Sequence, residues 1–494
     1  MTGTKKQAVE RRGATVAGVG DSFWGLGRAM RLIGQSSPSR KFVIFWCLIL
    51  GTCVLAIAPI ASADEHAFAV EVFQKLQQEL VADRQRGDWS AFLADAQRLK
   101  SFLNGTPTSG LEVARAQLEL GRPEAALPDI RRFLAMGQTN PMLDSPLFQH
   151  FRTAIDPQLQ SNLSSMSLAK PIIHLSNAGV LPEDIDYDPQ SKHFYVTSIL
   201  EDNIVALDSA GHQRAFADSP DHWPMLALKV DAKRRRLWAT EVALDGFAAV
   251  RETDWGRSVL LEYDLDRGTL LFRQDGPPHS NLGDMVLAKN GDPVVSDGTG
   301  GGIYRLHGRE LRRIDHGDFI SPQTIAICRH HRQAFVPDYV RGVAAFNLET
   351  GTVRWLSTKD RYALDGIDGL YCHRGSLVAV QNGSTPNRVV AFALDSFRST
   401  IVRETIIERA TSTLGDPTHG VLVDHTFYYI ANSGWSAIDQ HGVETAARRL
   451  TPALIMSAAD ASFIATSRGD KKSEPCKAPA AVPDAMSRIE HCHL

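Results

Sequence analysis

The chain contains no Gly-x-Ser-x-Gly elbow, so the strained nucleophile turn of the serine hydrolases is excluded. It also lacks a glycine-rich loop that leads through lysine into a helix. The run Gly298–Gly302 has the glycines but no following lysine, and it lies between two strand-like segments, which rules out a phosphate cradle. Cysteine is scarce, with six in 494 residues, and no compact Cys/His spacing of a zinc site occurs. A basic stripe is missing too. Residues 1–63 carry eight Lys/Arg against two acids, and the remainder holds 45 basic and 54 acidic residues. A mildly acidic body argues against nucleic acid as the partner.

What is present reads as an exported protein of two folded units. The apolar run Phe42–Ala61 follows Arg40 and Lys41 and ends in small residues before Asp64. These are the parts of a secretory signal, with cleavage expected after Ala63 and Met30 as an alternative start. At about 20 residues the run is also long enough to span a bilayer, so an uncleaved anchor remains open. Either outcome puts the body outside the cytoplasm, in the periplasm or secreted. Four cysteines follow the run. Cys328 and Cys372 lie in apolar strand-like segments and read as free buried thiols. Cys476 and Cys492 fall in an Ala/Pro/Lys-rich tail spanning 457–494, read as disordered or closed by one bridge rather than as a metal site.

Residues 64–168 show helical spacing, as in Phe68, Val72, Phe73, Leu76 and Leu80. The stretch from Gly87 echoes that from Gly121, 34 residues on, which is the tetratricopeptide period. This segment resembles a short tetratricopeptide array, and a plain helical bundle is the alternative. Such arrays offer a groove to a protein partner.

From Pro171 to residue 456 the period becomes two. Strand-like runs centred on Tyr195, Trp238, Val294, Phe335, Val378 and Tyr428 recur at intervals of 43, 56, 41, 43 and 50 residues. Another strand follows each of the first five. Four-stranded units at this spacing predict a mainly β fold, a six-bladed β-propeller preceded by a small α-helical domain. The 56-residue interval places an insertion around Asp245–Gly256.

The blade entrances beginning at Pro182, Leu282, Ser321, Gly366 and Asp416 resemble the superfamily of gluconolactonases, senescence marker protein and luciferin-regenerating enzyme, in a divergent bacterial branch. The resemblance covers about 171–456. It implies a divalent cation, often calcium in that superfamily, at the central channel. Glu183 matches the first-blade ligand and Asp368 the last; Asp284 is offered in the third blade, offset by Gly283. Gln323 stands in the fourth where Asn is the pattern. An oxygen cage of this kind suits a hard cation. The implied activity is hydrolysis of a lactone or ester on a small polar ligand, with Asp368 as ligand and base and Asp284 second. His222, His279 and His419 are further proton-carrying candidates. The alternative is a non-catalytic interaction protein that uses the propeller rim and the helical groove.

Overall fold

The computed structural model describes residues 68–328 and 333–460. The apolar run before Asp64, and Cys476 and Cys492, lie outside them. Among the described residues no helix is long and apolar enough to cross a membrane.

The six marker residues each lie on the second strand of an antiparallel sheet, of five strands in blade five and four in the others, and the six sheets are the blades of a propeller. The innermost strands are Ile185–Asp188, Met225–Asp231, Leu282–Leu287, Ala326–Ile327, Gly369–His373 and Gly420–Val423. The insertion in the second blade is the loop between Arg236–Val242 and Ser258–Asp264, as the long interval required.

Alternation along each strand sends apolar side chains to both faces of a blade, so each blade needs a neighbour on either side. That need is met six times over. One apolar cluster fills each gap between successive blades, the last joining blade six to blade one through residues such as Ile430, Ile455, Val196 and Val205. Ring closure comes from the chain around Pro171. The strand Lys170–His174 pairs with Leu454–Ala459 as the outermost strand of blade six, and Met166–Ser167 adds a fifth strand to blade five. First and last segments thus share one sheet, and no blade is left with an open seam.

Cys328 and Cys372 are not free thiols: they form a disulfide between the innermost strands of blades four and five. Their separation of 44 residues is one blade repeat, so equivalent strands bring them side by side, with Cα atoms 5.3 Å apart. The glycine run Gly298–Gly302 is a turn closed by Asp297, whose Oδ1 accepts from the amides of Thr299 and Gly300.

Helices α1 (Ala69–Arg86), α2 (Trp89–Phe102), α3 (Pro107–Glu119), α4 (Pro123–Ala135) and α5 (Arg152–Leu163) precede the ring. Gly87 and Gly121 both take left-handed φ in the turns before α2 and α4, whose first residues are 34 apart. The helices dock on blades four and five. Phe73, Leu76 and Leu99 share a cluster with Ile320 and Val340, and the fully buried Arg388 donates to the carbonyl of Met136.

Candidate functional site at the channel entrance

The approach to each innermost strand runs along the propeller axis, so side chains placed there from different blades can meet. Glu183 lies two residues before its strand in blade one, Asp284 is in the third-blade strand, and Asp368 and His419 directly precede the strands of blades five and six. Gly283 creates a register shift between Leu282 and Asp284. This bulge re-aims the carboxylate.

The three carboxylates converge on the imidazole of His419, which is almost fully buried. Its Nε2 lies 2.6 Å from Asp284 Oδ1 and 3.9 Å from Asp368 Oδ1. Its Nδ1 lies 2.8 Å from the carbonyl oxygen of Glu183 and 3.9 Å from Glu183 Oε1. A carbonyl and a carboxylate only accept, so both ring nitrogens donate and the ring is an imidazolium. Burial alone disfavours that charge, but the carboxylates of Asp368 and Asp284 outweigh it and hold the pKa well above the usual histidine range. The Glu183 carboxyl is pushed up to about 8, first by burial and then by repulsion from Asp368. Burial likewise raises Asp368 to about 6, with Asp284 adding to the rise and His419 opposing it.

Two of the carboxylates are held on their far side. The indole N–H of Trp435 donates to Glu183 Oε2, and Asn382 Nδ2 donates to Asp368 Oδ2 at 2.6 Å. Asn382 accepts in turn from the Tyr339 hydroxyl at 3.0 Å. Glu183 Oε1 and Asp368 Oδ1 are therefore the oxygens that face His419. This layer depends on close backbone approach. A Cβ on Gly366, which has φ +67°, would lie 2.7 Å from the carbonyl carbon of Gly383.

Of the residues expected from the sequence, Glu183, Asp284 and Asp368 meet; Gln323 does not join them. Its amide turns back to Ser321, at 3.0 Å from Oγ and 3.2 Å from the carbonyl. Consecutive side chains of an extended segment point opposite ways. The next residue, Thr324, therefore reaches the channel, and its hydroxyl donates to Asp284. His222 and His279 take left-handed backbone conformations in turns and make no hydrogen bond or ion pair with the cluster. His419 was one of three histidines with equal claims, and Asn382, Tyr339 and Trp435 carried no signal as site residues.

The donor set fits a divalent cation. Glu183, Asp368 and His419 each offer a ligand atom, all within 4.8 Å of one another, with the far carboxylate oxygens already oriented by Trp435 and Asn382. A nitrogen beside the oxygens departs from an all-oxygen calcium cage.

The chain is a six-bladed β-propeller. No protein-family model and no curated protein matches its sequence. Solved structures similar to it include a gluconolactonase from Xanthomonas campestris, 14% identical, with 60% of this chain and 100% of that one covered and a TM-score of 0.40. The calcium-binding protein regucalcin from Agrobacterium tumefaciens is 16% identical over 60% and 93%, with a TM-score of 0.38. Virginiamycin B lyase from Staphylococcus aureus is 11% identical over 59% and 98%, with a TM-score of 0.39. At these identities and scores the likeness assigns neither reaction nor ligand, and a propeller supports many chemistries.

Proposed function

We propose that the chain is an exported, metal-assisted hydrolase of lactones or small esters, working at the channel entrance. The observation that carries this reading is the convergence of Glu183, Asp284, Asp368 and His419 from four different blades. Glu183, Asp368 and His419 would hold a divalent cation, with Asp284 beside them. When bound, the cation would polarise an ester carbonyl and stabilise charge on its oxygen. To serve as a ligand, His419 gives up one proton, and Asp284, 2.6 Å from Nε2, is placed to take it. Asp368, oriented by Asn382, is the general base of this reading, its carboxylate placed to accept a proton from water. The bridge between Cys328 and Cys372 supports an oxidising compartment, in line with the apolar run before Asp64.

Metal analysis of the purified full chain, joined to a panel of lactones and aryl esters, tests the reading. Hydrolysis that is lost on chelation, restored by a divalent cation and abolished in Asp368→Asn is expected. Activity that survives complete demetallation removes the metal from the proposal. A second reading is favoured by one observation: both nitrogens of His419 are already hydrogen-bonded, so the cluster is satisfied without a cation. In that case the propeller is a binding scaffold with a protein partner on its helices. Unchanged melting temperatures with calcium, magnesium, manganese and zinc, and no turnover of any ester, would select it.

A further inference from the structure

A second polar site lies where the helices meet blade four. A cavity of about 350 Å³ opens between the turn Asn104–Thr106 and the outer strands of that blade. This volume is that of a small-molecule site. Its charge is one-sided: Arg132, Arg341 and Lys359 line it against a single acid, Asp360. Arg132 pairs with Asp360 at 2.7 Å, and Asp360 is 76% exposed.

Two cations are then left over. Lys359 has no ion pair among the described residues. Arg341 lies between the rings of Phe102 and Trp355, 4.7 and 4.6 Å from their centroids, and gives one N–H to the carbonyl of Asp318 at 3.1 Å. No other hydrogen bond of this side chain occurs among the described residues, and it lines the cavity. The N-terminus of the 13-residue helix α3 reaches the same cavity through Thr106 and Pro107, with no side-chain cap, and its dipole favours an anion. Trp355 and Tyr362 supply flat apolar surface in the wall.

Holding the helices on the blade accounts for the pair between Arg132 and Asp360. It does not account for Lys359, which has no ion pair, or for Arg341, which lines the cavity with a single hydrogen bond made. We propose that this cavity binds the oxyanionic group, carboxylate or phosphate, of a small ring-bearing molecule. Arg341 and Lys359 hold the anion, and Trp355 or Tyr362 packs against the ring. The site is independent of the channel cluster and of whether that cluster holds a metal.

Calorimetric titration of the full chain, in chelator so that the channel is metal-free, tests this with phenyl phosphate, benzoate and inorganic phosphate. Saturable binding of phenyl phosphate or benzoate is expected, and the tighter of the two identifies the head group. Lys359→Glu, at an exposed position that leaves the fold intact, should weaken it about tenfold or more. Arg341→Lys, which keeps the charge but loses the fork, should weaken it as well, and Asp368→Asn should leave it unchanged. Absence of saturable binding by all three probes overturns the proposal, as does full affinity in Lys359→Glu. Inorganic phosphate binding as tightly as phenyl phosphate overturns the role given to the rings.

Discussion

Replacing His419 by alanine removes the one positive charge at the centre of three carboxylates. Asp284 then keeps only Thr324 as a donor, and the Glu183 carbonyl loses its hydrogen bond. Deleting one partner of a buried charged pair costs about 3–5 kcal/mol, because the remaining charge is stranded. The ring spans roughly 290 residues from Lys170 to Ala459. At about 2.1 cal/mol/K per residue its unfolding entropy is near 0.6 kcal/mol/K, so the loss corresponds to a fall in Tm of about 5–8 °C. Differential scanning calorimetry of metal-free protein at pH 7 reads this directly. The double variant His419→Ala/Asp284→Asn should recover part of the loss, giving a coupling energy of about 2 kcal/mol or more. A single variant that melts within about 1 °C of the parent, or a double variant with additive losses, would refute the assignment of His419 as the counter-charge.

Other outcomes follow from the same geometry. Glu183 has its pKa raised from 4.5 to about 8, so between those values the folded state holds a proton that the unfolded chain has lost. Metal-free stability should therefore fall as pH rises from 4.5 to 8, by up to about 1.4 kcal/mol per pH unit, and urea midpoints should show a shallower slope for Glu183→Gln; equal slopes would contradict it. Cys328→Ser opens a 44-residue loop and should cost about 4 kcal/mol at most by chain entropy, seen as a lower urea midpoint, while reduction of that variant should change nothing further. Gly366→Ala must take a left-handed conformation and meet the Gly383 backbone, so a loss of about 2 kcal/mol or more is expected, together with weaker cation binding through the displaced Asp368. An alanine variant as stable as the parent would show that the two backbones are not in contact.

The periodicity of the sequence determined the architecture, because blade strands are local features. Each marker lies on a second strand, which is covered on both faces and flanked by two partners and so reads as an apolar run. That Glu183, Asp284 and Asp368 would meet was implied by the resemblance, which puts its ligands at strand entrances, a repeated place in each blade. Three things depended on contacts between blades, which no local pattern records. Cys328 and Cys372 became partners only when strands one repeat apart were laid side by side. The choice between Gln323 and Thr324 turned on a shift of one residue, which reverses the side of an extended chain that faces the axis. His419 became the hub of the cluster only because closing the ring brings blade six against blades one, three and five at once, placing one imidazole within reach of carboxylates that lie 51 to 236 residues away in the chain.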